Sequence, residues 1–522
     1  MPTFTTYDGT ELAYRLEGEG DPLVCLAGGP LRDAAYLGDL GGLSAHRTLV
    51  LLDARGTGAS AEPTDPATYR CDRQVPDVEA LRAHLGLDRI DLLGHSAGGN
   101  LALLYAAAHP ERVRSLVLVT SLARALGQEV TDEEWDAAVE IFAGRPWYPE
   151  ARAALDALDA LGPDAPPESV REAVEPFGYG RWDEAARAHA AAGRHQTHPE
   201  AAARYHADGA YTPEATRRAL ATLTAPVLVL AGEYDAGPTP ALAAETAALL
   251  PHGELLVQAG AAHHPWIDDA GAFVRAVAAF LDPAVRTVTV DGVRLAYRVQ
   301  GPEDAPPVVL VHGRGENSTT WDDIAASLAA DHRVYAPDLR GHGLSDHPGH
   351  YGFDVFRDEL GGFLKALGLT GATIVAHSMG GGAALLLARG EPALVGRLVL
   401  EEPPVFVPLD PPRGPAELPD GPLPFDRAIV PATDAQLNDP DPAWRTGHPA
   451  LTVPTLVLAG GERSHLPQDQ LRRLAEDIPG ARLWTGDAGH LIHTEDPAGF
   501  LAALREFGLG PSAPNAGDME GT

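Results

Sequence analysis

Two stretches of the chain surround a serine with the same pattern of small residues, and they constrain the fold more than any other feature. The first is GHSAGG at residues 94–99 and the second is AHSMGG at residues 376–381. Each follows a short apolar run and precedes an alanine- and leucine-rich run that predicts a helix. Ser96 and Ser378 therefore lie in sharp strand-to-helix turns, where a hydroxyl is exposed at a helix N-terminus.

The spacing of other shared segments predicts that a whole domain is repeated. DGTELAYR at 8–15 returns as DGVRLAYR at 291–298, and DARGTGAS at 53–60 returns as DLRGHGLS at 338–345, with offsets of 283 and 285 residues. Near-constant offsets indicate two copies of one domain. The join falls near Pro283, where a helical run ends. Because no glycine- or serine-rich spacer occurs there, the two domains are expected to pack on each other.

The alternation of short apolar runs with helical patterns predicts an α/β fold in each copy, a mostly parallel sheet flanked by helices. Domain 1 is expected at residues 1–283 and domain 2 at 284–509. Each carries an insertion, helix-rich at about 122–222 and proline-rich at about 403–451, which we expect to cover a substrate site as a lid. The glycine-, proline- and serine-rich end, 510–522, is predicted to be a disordered tail.

Composition narrows the classes of partner. The 522 residues carry a formal net charge of −34, which argues against nucleic acid and anionic membranes and leaves a small-molecule substrate as the expected partner. No signal peptide or membrane span is predicted. Cys25 in an apolar strand and Cys71 in a polar loop give no disulfide framework, which fits a cytoplasmic location. We expect no cofactor and no metal site, since no Cys/His cluster has zinc-ligand spacing.

A serine needs a base, and the base needs an acid to orient it; in this architecture the chain order is serine, acid, histidine. In domain 1 these follow Ser96 in order. Asp235 comes directly after an apolar strand and is the favoured acid, with Glu233 as its competitor. Two adjacent histidines, His263 and His264, follow the last strand, and the residues alone leave both open as the base, although His264 is expected to cap the next helix.

In domain 2 the base is better defined than the acid. His490 follows the last strand, and His493 is a weaker competitor. The strand of domain 2 that corresponds to the one before Asp235 is not followed by an aspartate. The strand before it ends in two carboxylates, and of these we favour Glu402, with Glu401 and Glu462 as alternatives. If none of them serves, domain 2 is a non-catalytic partner domain.

An oxyanion hole needs backbone N–H donors beside the nucleophile. One is expected from the residue after each serine, Ala97 or Met379, and the other from the loop after an early strand, at Gly29 or Arg314.

These motifs resemble the α/β-hydrolase superfamily, and the resemblance covers both copies. Domain 1 is similar to the proline iminopeptidase branch in AGGPL at 27–31, DARGTGAS at 53–60 and GHSAGG at 94–99, although several positions depart from that pattern. The histidine motif of that branch selects His263 as the base. Domain 2 looks like the esterase, lipase and dehalogenase branch, in which some members carry the acid where Glu402 stands.

The function that follows is a serine hydrolase that cleaves a small ester, lactone, thioester or amide through an acyl-serine intermediate. Ser96 and Ser378 argue against the dehalogenase and epoxide hydrolase chemistries of the superfamily, which use aspartate. The alternative is a proline iminopeptidase-like aminopeptidase in domain 1, with domain 2 as a non-catalytic partner domain. It would need lid carboxylates to bind the substrate's free amine, with candidates at Glu172, Glu175 and Asp183.

Overall fold

The computed structural model describes residues 1–161, 167–421 and 423–510. The chain divides into two compact units, one covering Met1–Leu281 and a second that begins at Asp282. The predicted disordered tail falls outside the described residues from position 511 onward. The units are called domain 1 and domain 2 below.

The strands of domain 1 run from β1 to β8. They are β1 (Thr3–Thr5), β2 (Glu11–Glu17), β3 (Pro22–Leu26), β4 (Thr48–Leu52), β5 (Ile90–His95), β6 (Val113–Val119), β7 (Val227–Gly232) and β8 (Gly253–Gln258). Within the described residues they form one sheet in the order β1-β2-β4-β3-β5-β6-β7-β8. Strand β2 pairs antiparallel with its two neighbours, and the other neighbouring pairs are parallel.

Domain 2 repeats this arrangement. Its strands are β9 (Val285–Val290), β10 (Val293–Gln300), β11 (Pro307–Val311), β12 (Arg333–Pro337), β13 (Ala372–His377), β14 (Val395–Glu401), β15 (Thr455–Ala459) and β16 (Arg482–Thr485). The described sheet has the order β9-β10-β12-β11-β13-β14-β15-β16, and only the pairs that involve β10 are antiparallel. The predicted pair of mostly parallel α/β domains is confirmed.

Helices connect the parallel strands. In domain 1 they are α1 (Val75–His84), α2 (Ala97–Ala108), α3 (Asp132–Val139), α4 (Tyr148–Leu161), α5 (Glu168–Val174), α6 (Glu184–Gly193), α7 (Pro199–Tyr205), α8 (Pro213–Leu220), α9 (Pro240–Ala248), α10 (Pro265–Asp268) and α11 (Ala270–Leu281). In domain 2 they are α12 (Asp322–Leu328), α13 (Phe353–Ala366), α14 (Ser378–Gly390), α15 (Ile429–Asn438), α16 (Pro442–Thr446), α17 (Gln468–Asp477), α18 (Ile492–Glu495) and α19 (Pro497–Glu506). Helices α3 to α8 occupy the predicted lid segment of domain 1, and α15 and α16 that of domain 2.

Burial on both faces explains why the strands read as continuous apolar runs. Along β11, Val309 and Val311 join one buried cluster with residues of α13 and α14, while Val308 and Leu310 join another with residues of α12 and α19. Because successive side chains of a strand point to opposite faces, the two clusters lie on opposite faces of the sheet. Helices therefore cover both faces, as parallel sheets require.

The strand register shows which positions of the two domains correspond. His95 of β5 pairs with Val119 of β6, and His377 of β13 pairs with Glu401 of β14. The residues that follow β6 and β14, Thr120 and Glu402, are therefore equivalent. Both have left-handed backbone conformations, with φ of 44° and 49°.

Two further observations concern expectations from composition. Among the described helices, none combines the length and the apolar composition that crossing a bilayer would require. Cys71, expected in a polar loop, is instead fully buried at the start of a short 3₁₀ turn, because the loop packs against the core of domain 1. Burial raises the pKa of its thiol to about 12.

Candidate active site

Each serine lies at a strained turn between a strand and a helix. Ser96 follows β5 and has φ of 52°, and Ser378 follows β13 and has φ of 48°. This left-handed conformation is costly for a residue with a side chain and is concentrated at functional sites. It sets both hydroxyls at the N-terminal ends of α2 and α14.

The helix after each serine closely approaches the end of the neighbouring strand. A Cβ on Gly98 would come within 2.4 Å of the Leu26 carbonyl oxygen, and a Cβ on Gly380 within 2.5 Å of that of His312. Only glycine fits at these two positions. Ala376, which replaces the first glycine of the motif in domain 2, is fully buried and leaves the turn at Ser378 intact.

Domain 1 brings Ser96, His263 and Asp235 into one chain of hydrogen bonds. The Ser96 Oγ lies 2.9 Å from His263 Nε2, and His263 Nδ1 lies 2.9 Å from the Asp235 carboxylate. Since a carboxylate only accepts, Nδ1–H donates to Asp235 and Nε2 is left to accept the serine proton. Burial lowers the pKa of His263, but the charge and hydrogen bond of Asp235 outweigh it and hold the pKa above its usual value.

The competing residues of domain 1 contact other groups. Glu233 accepts a hydrogen bond from the Gly260 N–H. His264 stands at the N-terminus of α10 but makes no capping bond, contrary to the expectation from sequence. Its Nδ1 lies 3.1 Å from the Gly178 carbonyl, and its ring stacks on Tyr179 at 4.9 Å, because the adjacent lid residues supply a carbonyl and an aromatic face.

Domain 2 brings Ser378, His490 and Glu402 together. The Ser378 Oγ lies 3.1 Å from His490 Nε2, and His490 Nδ1 lies 3.2 Å from the Glu402 carboxylate. Glu401 turns to His493 instead, accepting from its backbone N–H at 2.9 Å and from Nδ1 at 2.8 Å.

Glu402 is held as a carboxylate despite being fully buried. It accepts hydrogen bonds from the Gly460 N–H at 2.6 Å, from Gln468 Nε2 at 3.2 Å and from the Ser464 hydroxyl. Burial raises the pKa of Glu402, but these donors and His490 more than compensate, so the pKa is lower than usual. The third candidate acid of this domain, Glu462, is exposed.

Sequence reasoning missed a second hydrogen-bonded chain behind each catalytic histidine candidate. In domain 1 it runs through His95, the residue before the serine. The Gly28 N–H donates to Tyr36 Oη at 2.7 Å, the Tyr36 hydroxyl lies 2.6 Å from His95 Nδ1, and His95 Nε2–H donates to the His263 carbonyl at 2.9 Å. Burial and the neighbouring His263 lower the pKa of His95 well below its usual value, so its ring is neutral.

In domain 2 the same chain is ionic. The Gly313 N–H donates to Glu316 at 2.6 Å, His377 Nδ1 lies 3.0 Å from the same Glu316 oxygen, and His377 Nε2 lies 3.0 Å from the His490 carbonyl. Both acceptors lack protons to give, so both ring nitrogens of His377 donate and the ring is cationic. Burial lowers the pKa of His377, but Glu401 and Glu316 raise it above its usual value, and the pKa of Glu316 falls to about 2.

The sequence gives one signal for these hydrogen-bonded networks, the histidine that stands before each serine. The partners of these histidines share no sequence pattern, because Tyr36 and Glu316 differ in residue type. Tyr36 also follows its glycine by eight residues, whereas Glu316 follows its glycine by three.

The predicted oxyanion donors line the cavities that open beside the serines. Gly29 and Ala97 border a cavity of about 300 Å³ with Ser96, and Arg314 and Met379 border one of about 120 Å³ with Ser378. Because the amides of Gly28 and Gly313 already donate to Tyr36 and Glu316, the next amides in each loop, those of Gly29 and Arg314, remain as the candidate donors.

Lid residues border both cavities. In domain 1 they are Leu122, Arg124, Val130, Thr131, Asp132, Trp135 and His206. In domain 2 they are Pro403, Pro404, Val405, Phe406, Val407, Leu409, Arg413, Thr433 and Leu437. The lining of the first cavity is slightly more polar than apolar, and that of the second is mainly apolar.

The lid carboxylates considered for an aminopeptidase do not border the domain 1 cavity. Glu172 and Glu175 form ion pairs with Arg194. Asp183 caps α6 by accepting from the Ala186 N–H. Among the described residues, no group of three or more His, Cys, Asp or Glu side chains is arranged to hold a metal ion.

Comparison with known families gives a match in both domains. The model of the alpha/beta hydrolase fold family matches residues 21–270 and 306–428. Among curated proteins, the chain is 41% identical over 128 residues to a non-heme chloroperoxidase of Streptomyces lividans and 40% identical over 124 residues to a proline iminopeptidase of Lactobacillus helveticus. These matches span 23% and 22% of this chain and 46% and 42% of the relatives. The chain therefore spans less than half the length of the curated relatives it matches.

Two solved structures are also similar to part of the chain. A hydrolase from Pseudomonas aeruginosa PA01 is 26% identical, with 43% of this chain and 98% of that chain covered and a TM-score of 0.39. An enol-lactonase from Burkholderia xenovorans LB400 is 23% identical, with 42% and 99% covered and a TM-score of 0.36. The family match confirms the resemblance predicted from the sequence.

Proposed function

The chain belongs to the alpha/beta hydrolase fold family, and on that premise we propose that it is a serine hydrolase with two active sites, one in each domain. Each site cleaves a small ester, lactone, thioester or amide through an acyl-serine intermediate. The observation that carries the proposal is the unbroken serine–histidine–carboxylate chain, present in domain 1 at 2.9 and 2.9 Å and in domain 2 at 3.1 and 3.2 Å.

In domain 1, the Ser96 hydroxyl gives its proton to His263 Nε2 as its oxygen attacks the acyl carbonyl. The carbonyl oxygen becomes negative and accepts hydrogen bonds from the amides of Gly29 and Ala97. Asp235 stabilises the imidazolium, which then protonates the leaving group. A water molecule, deprotonated by the same histidine, hydrolyses the acyl-serine. Each oxyanion donor contributes on the order of 10²–10³ in rate.

Domain 2 performs the same steps with Ser378, His490 and Glu402, and with the amides of Arg314 and Met379 as oxyanion donors. Its acid belongs to a different strand, but it meets the same ring nitrogen of the base. Because Glu402 is ionised, buried and held by three donors besides His490, it is suited to fix the tautomer of that base.

An aminopeptidase in domain 1 is the less supported alternative. A free substrate amine needs carboxylates in the cavity, and the lid acids Glu172 and Glu175 are paired with Arg194. Asp132 is the carboxylate that borders the cavity, and it is exposed. The domain 1 site is therefore better suited to an uncharged acyl group.

The proposal is tested by covalent labelling with a fluorophosphonate, followed by peptide mass spectrometry. The intact chain is expected to carry two adducts, on Ser96 and Ser378, and each serine-to-alanine variant to lose only its own. Ser327→Ala is the matched control, because Ser327 is an exposed serine without a histidine partner and its loss should change nothing. A single adduct would make the unlabelled domain non-catalytic, and no adduct would overturn the proposal.

A further inference from the structure

The cavity beside Ser378 contains an unusual pair of charges. Arg314, in the loop after β11, and Arg413, in the lid, both border it. Apolar side chains form much of the remaining wall, among them Phe353, Pro403, Pro404, Val405, Phe406 and Leu437. In an apolar cavity, a few placed polar groups determine the orientation and the class of the ligand.

The two guanidinium groups share a single carboxylate. The Nη1 atoms of Arg314 and Arg413 each lie 2.8 Å from the same oxygen of Asp434. Burial raises the pKa of Asp434, but the two arginines hold it below its usual value, so the carboxylate is charged. This group of three side chains therefore carries an excess positive charge. In the part of the chain that the structure describes, each guanidinium uses only Nη1 for protein contacts, so its other N–H donors remain for a ligand.

The pair is held near the reacting groups. Arg314 immediately follows Gly313, whose N–H donates to Glu316 in the oxyanion loop. The backbone of Arg413 is fixed by Asn438, through bonds of 2.7 Å to its N–H and 2.9 Å to its carbonyl. Burial, His490 and the charge of Arg413 lower the pKa of His465, whose ring lies 4.3 Å from that of His490.

The domain 1 cavity offers no such excess. Among the described residues that border it, Arg124 and Asp132 are the basic and acidic ones, one of each sign, whereas Arg314, Arg413 and Glu402 border the domain 2 cavity. The positive charge of this arginine pair also contrasts with the formal net charge of the whole chain, which is −34. A local cationic pair in an acidic protein attracts an anionic group that the rest of the surface repels.

We propose that domain 2 acts on an acyl substrate that bears a free carboxylate, which Arg314 and Arg413 bind beside Ser378. The planar donors of arginine match the two oxygens of a carboxylate, and the ligand adds one negative charge to a group of three side chains with one positive charge in excess. The other carboxylate at the cavity, Glu402, is bound to His490 and three further donors. This inference rests on the proposed hydrolase activity of domain 2.

The test uses the full chain with Ser96→Ala, so that turnover reports domain 2. Mono-ethyl adipate is compared with ethyl hexanoate, and 4-acetoxybutanoate with butyl acetate, which places the carboxylate on the acyl side and then on the alcohol side. At least one charged ester is expected to exceed its neutral partner in kcat/KM by about tenfold or more. Arg413→Met should abolish that preference.

Two further variants make the result specific. Asp434→Asn removes the competing carboxylate and should lower KM for the preferred charged ester, the opposite direction to Arg413→Met. Arg427→Met removes an equal charge from the same lid, at an exposed arginine outside the cavity lining, and should leave the preference unchanged.

The outcomes separate this inference from the proposed function. If Ser378 is labelled and neutral esters are hydrolysed without any preference for charge, the carboxylate site is wrong and the hydrolase remains. If Arg427→Met erases the preference as fully as Arg413→Met, the effect is long-range and the assigned pair is wrong. If Ser378 is neither labelled nor active, both proposals fail for domain 2.

Discussion

Domains 1 and 2 have the same sheet order, yet they bring the carboxylate to the histidine from different strands. In domain 1, Asp235 follows β7. In domain 2, Glu402 follows β14, whose counterpart in domain 1 is β6. The position of Glu402 is occupied in domain 1 by Thr120, whose hydroxyl donates to the His263 carbonyl at 2.9 Å. Counting along the paired strands, the position of Asp235 is occupied in domain 2 by Arg463.

The difference teaches that the fold fixes the serine and the histidine more tightly than the acid. Strands β6 and β7 are adjacent and parallel, so their carboxyl ends open at the same edge of the sheet, near the loop that carries the histidine. An acid at either end can reach Nδ1.

The hydrogen-bonded chains that run through His95 and His377, the histidines before the two serines, differ in charge. In domain 1, Tyr36 and a neutral His95 connect the Gly28 amide to the His263 backbone. In domain 2, Glu316 and a cationic His377 make the corresponding connection. The same backbone carbonyl of the base is therefore supported by a neutral network in one domain and by an ion pair in the other.

The largest effect is expected from removing either acid. Asp235→Ala, measured in a Ser378→Ala chain, and Glu402→Ala, measured in a Ser96→Ala chain, should each lower kcat on a neutral ester by about 10³–10⁴, because the base loses its orienting partner.

Exposed acids near each strand end serve as controls for that measurement. Glu233→Ala and Glu462→Ala should leave kcat within about twofold, as expected for exposed side chains away from the base. A large loss in Glu462→Ala with activity retained in Glu402→Ala would reverse the assignment in domain 2.

Moving the acid between strands would sharpen the comparison. Thr120 and Glu402 share a left-handed backbone and the same ladder bond, from N–H to the Leu230 or Leu458 carbonyl. Thr120→Glu added to Asp235→Ala should therefore recover about tenfold or more in kcat over Asp235→Ala alone. Thr120→Gln in the same background lacks the charge and should recover nothing. Equal behaviour of the two variants would show that the position alone does not suffice.

Smaller effects, on stability, are expected from changes in the hydrogen-bonded chains that run through His95 and His377. Tyr36→Phe leaves the Gly28 amide without its acceptor, and Glu316→Gln removes one of the two carboxylates, Glu401 and Glu316, that raise the pKa of His377. We expect losses in the free energy of unfolding of about 1–2 and about 2–3 kcal/mol. Amide hydrogen exchange of the two oxyanion loops, residues 27–31 and 312–316, localises each loss. Exchange that rises equally in both loops for either variant would contradict two independent networks.

The smallest effect is a difference in pH dependence. His377 has a raised pKa, so its pair with Glu316 contributes stability fully below the ordinary value of 6.5 and loses it as pH rises through the raised pKa. The gap in melting temperature between the unaltered chain and Glu316→Gln should therefore shrink from pH 6 to pH 9. The gap for Tyr36→Phe should stay constant, since His95 stays neutral and burial raises the pKa of Tyr36. A gap for Glu316→Gln that does not change with pH would contradict a cationic His377.

The fold and the six residues of the two candidate triads could be predicted because their signals are local. Gly98 and Gly380 must be glycine for steric reasons, and the apolar runs must be continuous because both faces of the sheet are covered. The strand–serine–helix turn is encoded within six consecutive residues. These constraints act over one turn or one strand, so they are legible in the order of residues.

The amino-acid sequence by itself determined that two α/β domains are present, that each has a serine in a strand-to-helix turn, and which loops carry histidines and carboxylates. The residues alone left His263 and His264 open, the family resemblance selected His263, and Glu402 was favoured over Glu401. Only the tertiary structure decided what each of these residues contacts, and that His95 and His377 support the candidate bases from behind. Neighbouring residues at the end of a strand project to opposite sides, so their roles depend on what the folded chain places there. For Glu402 that was His490, and for Glu401 it was His493.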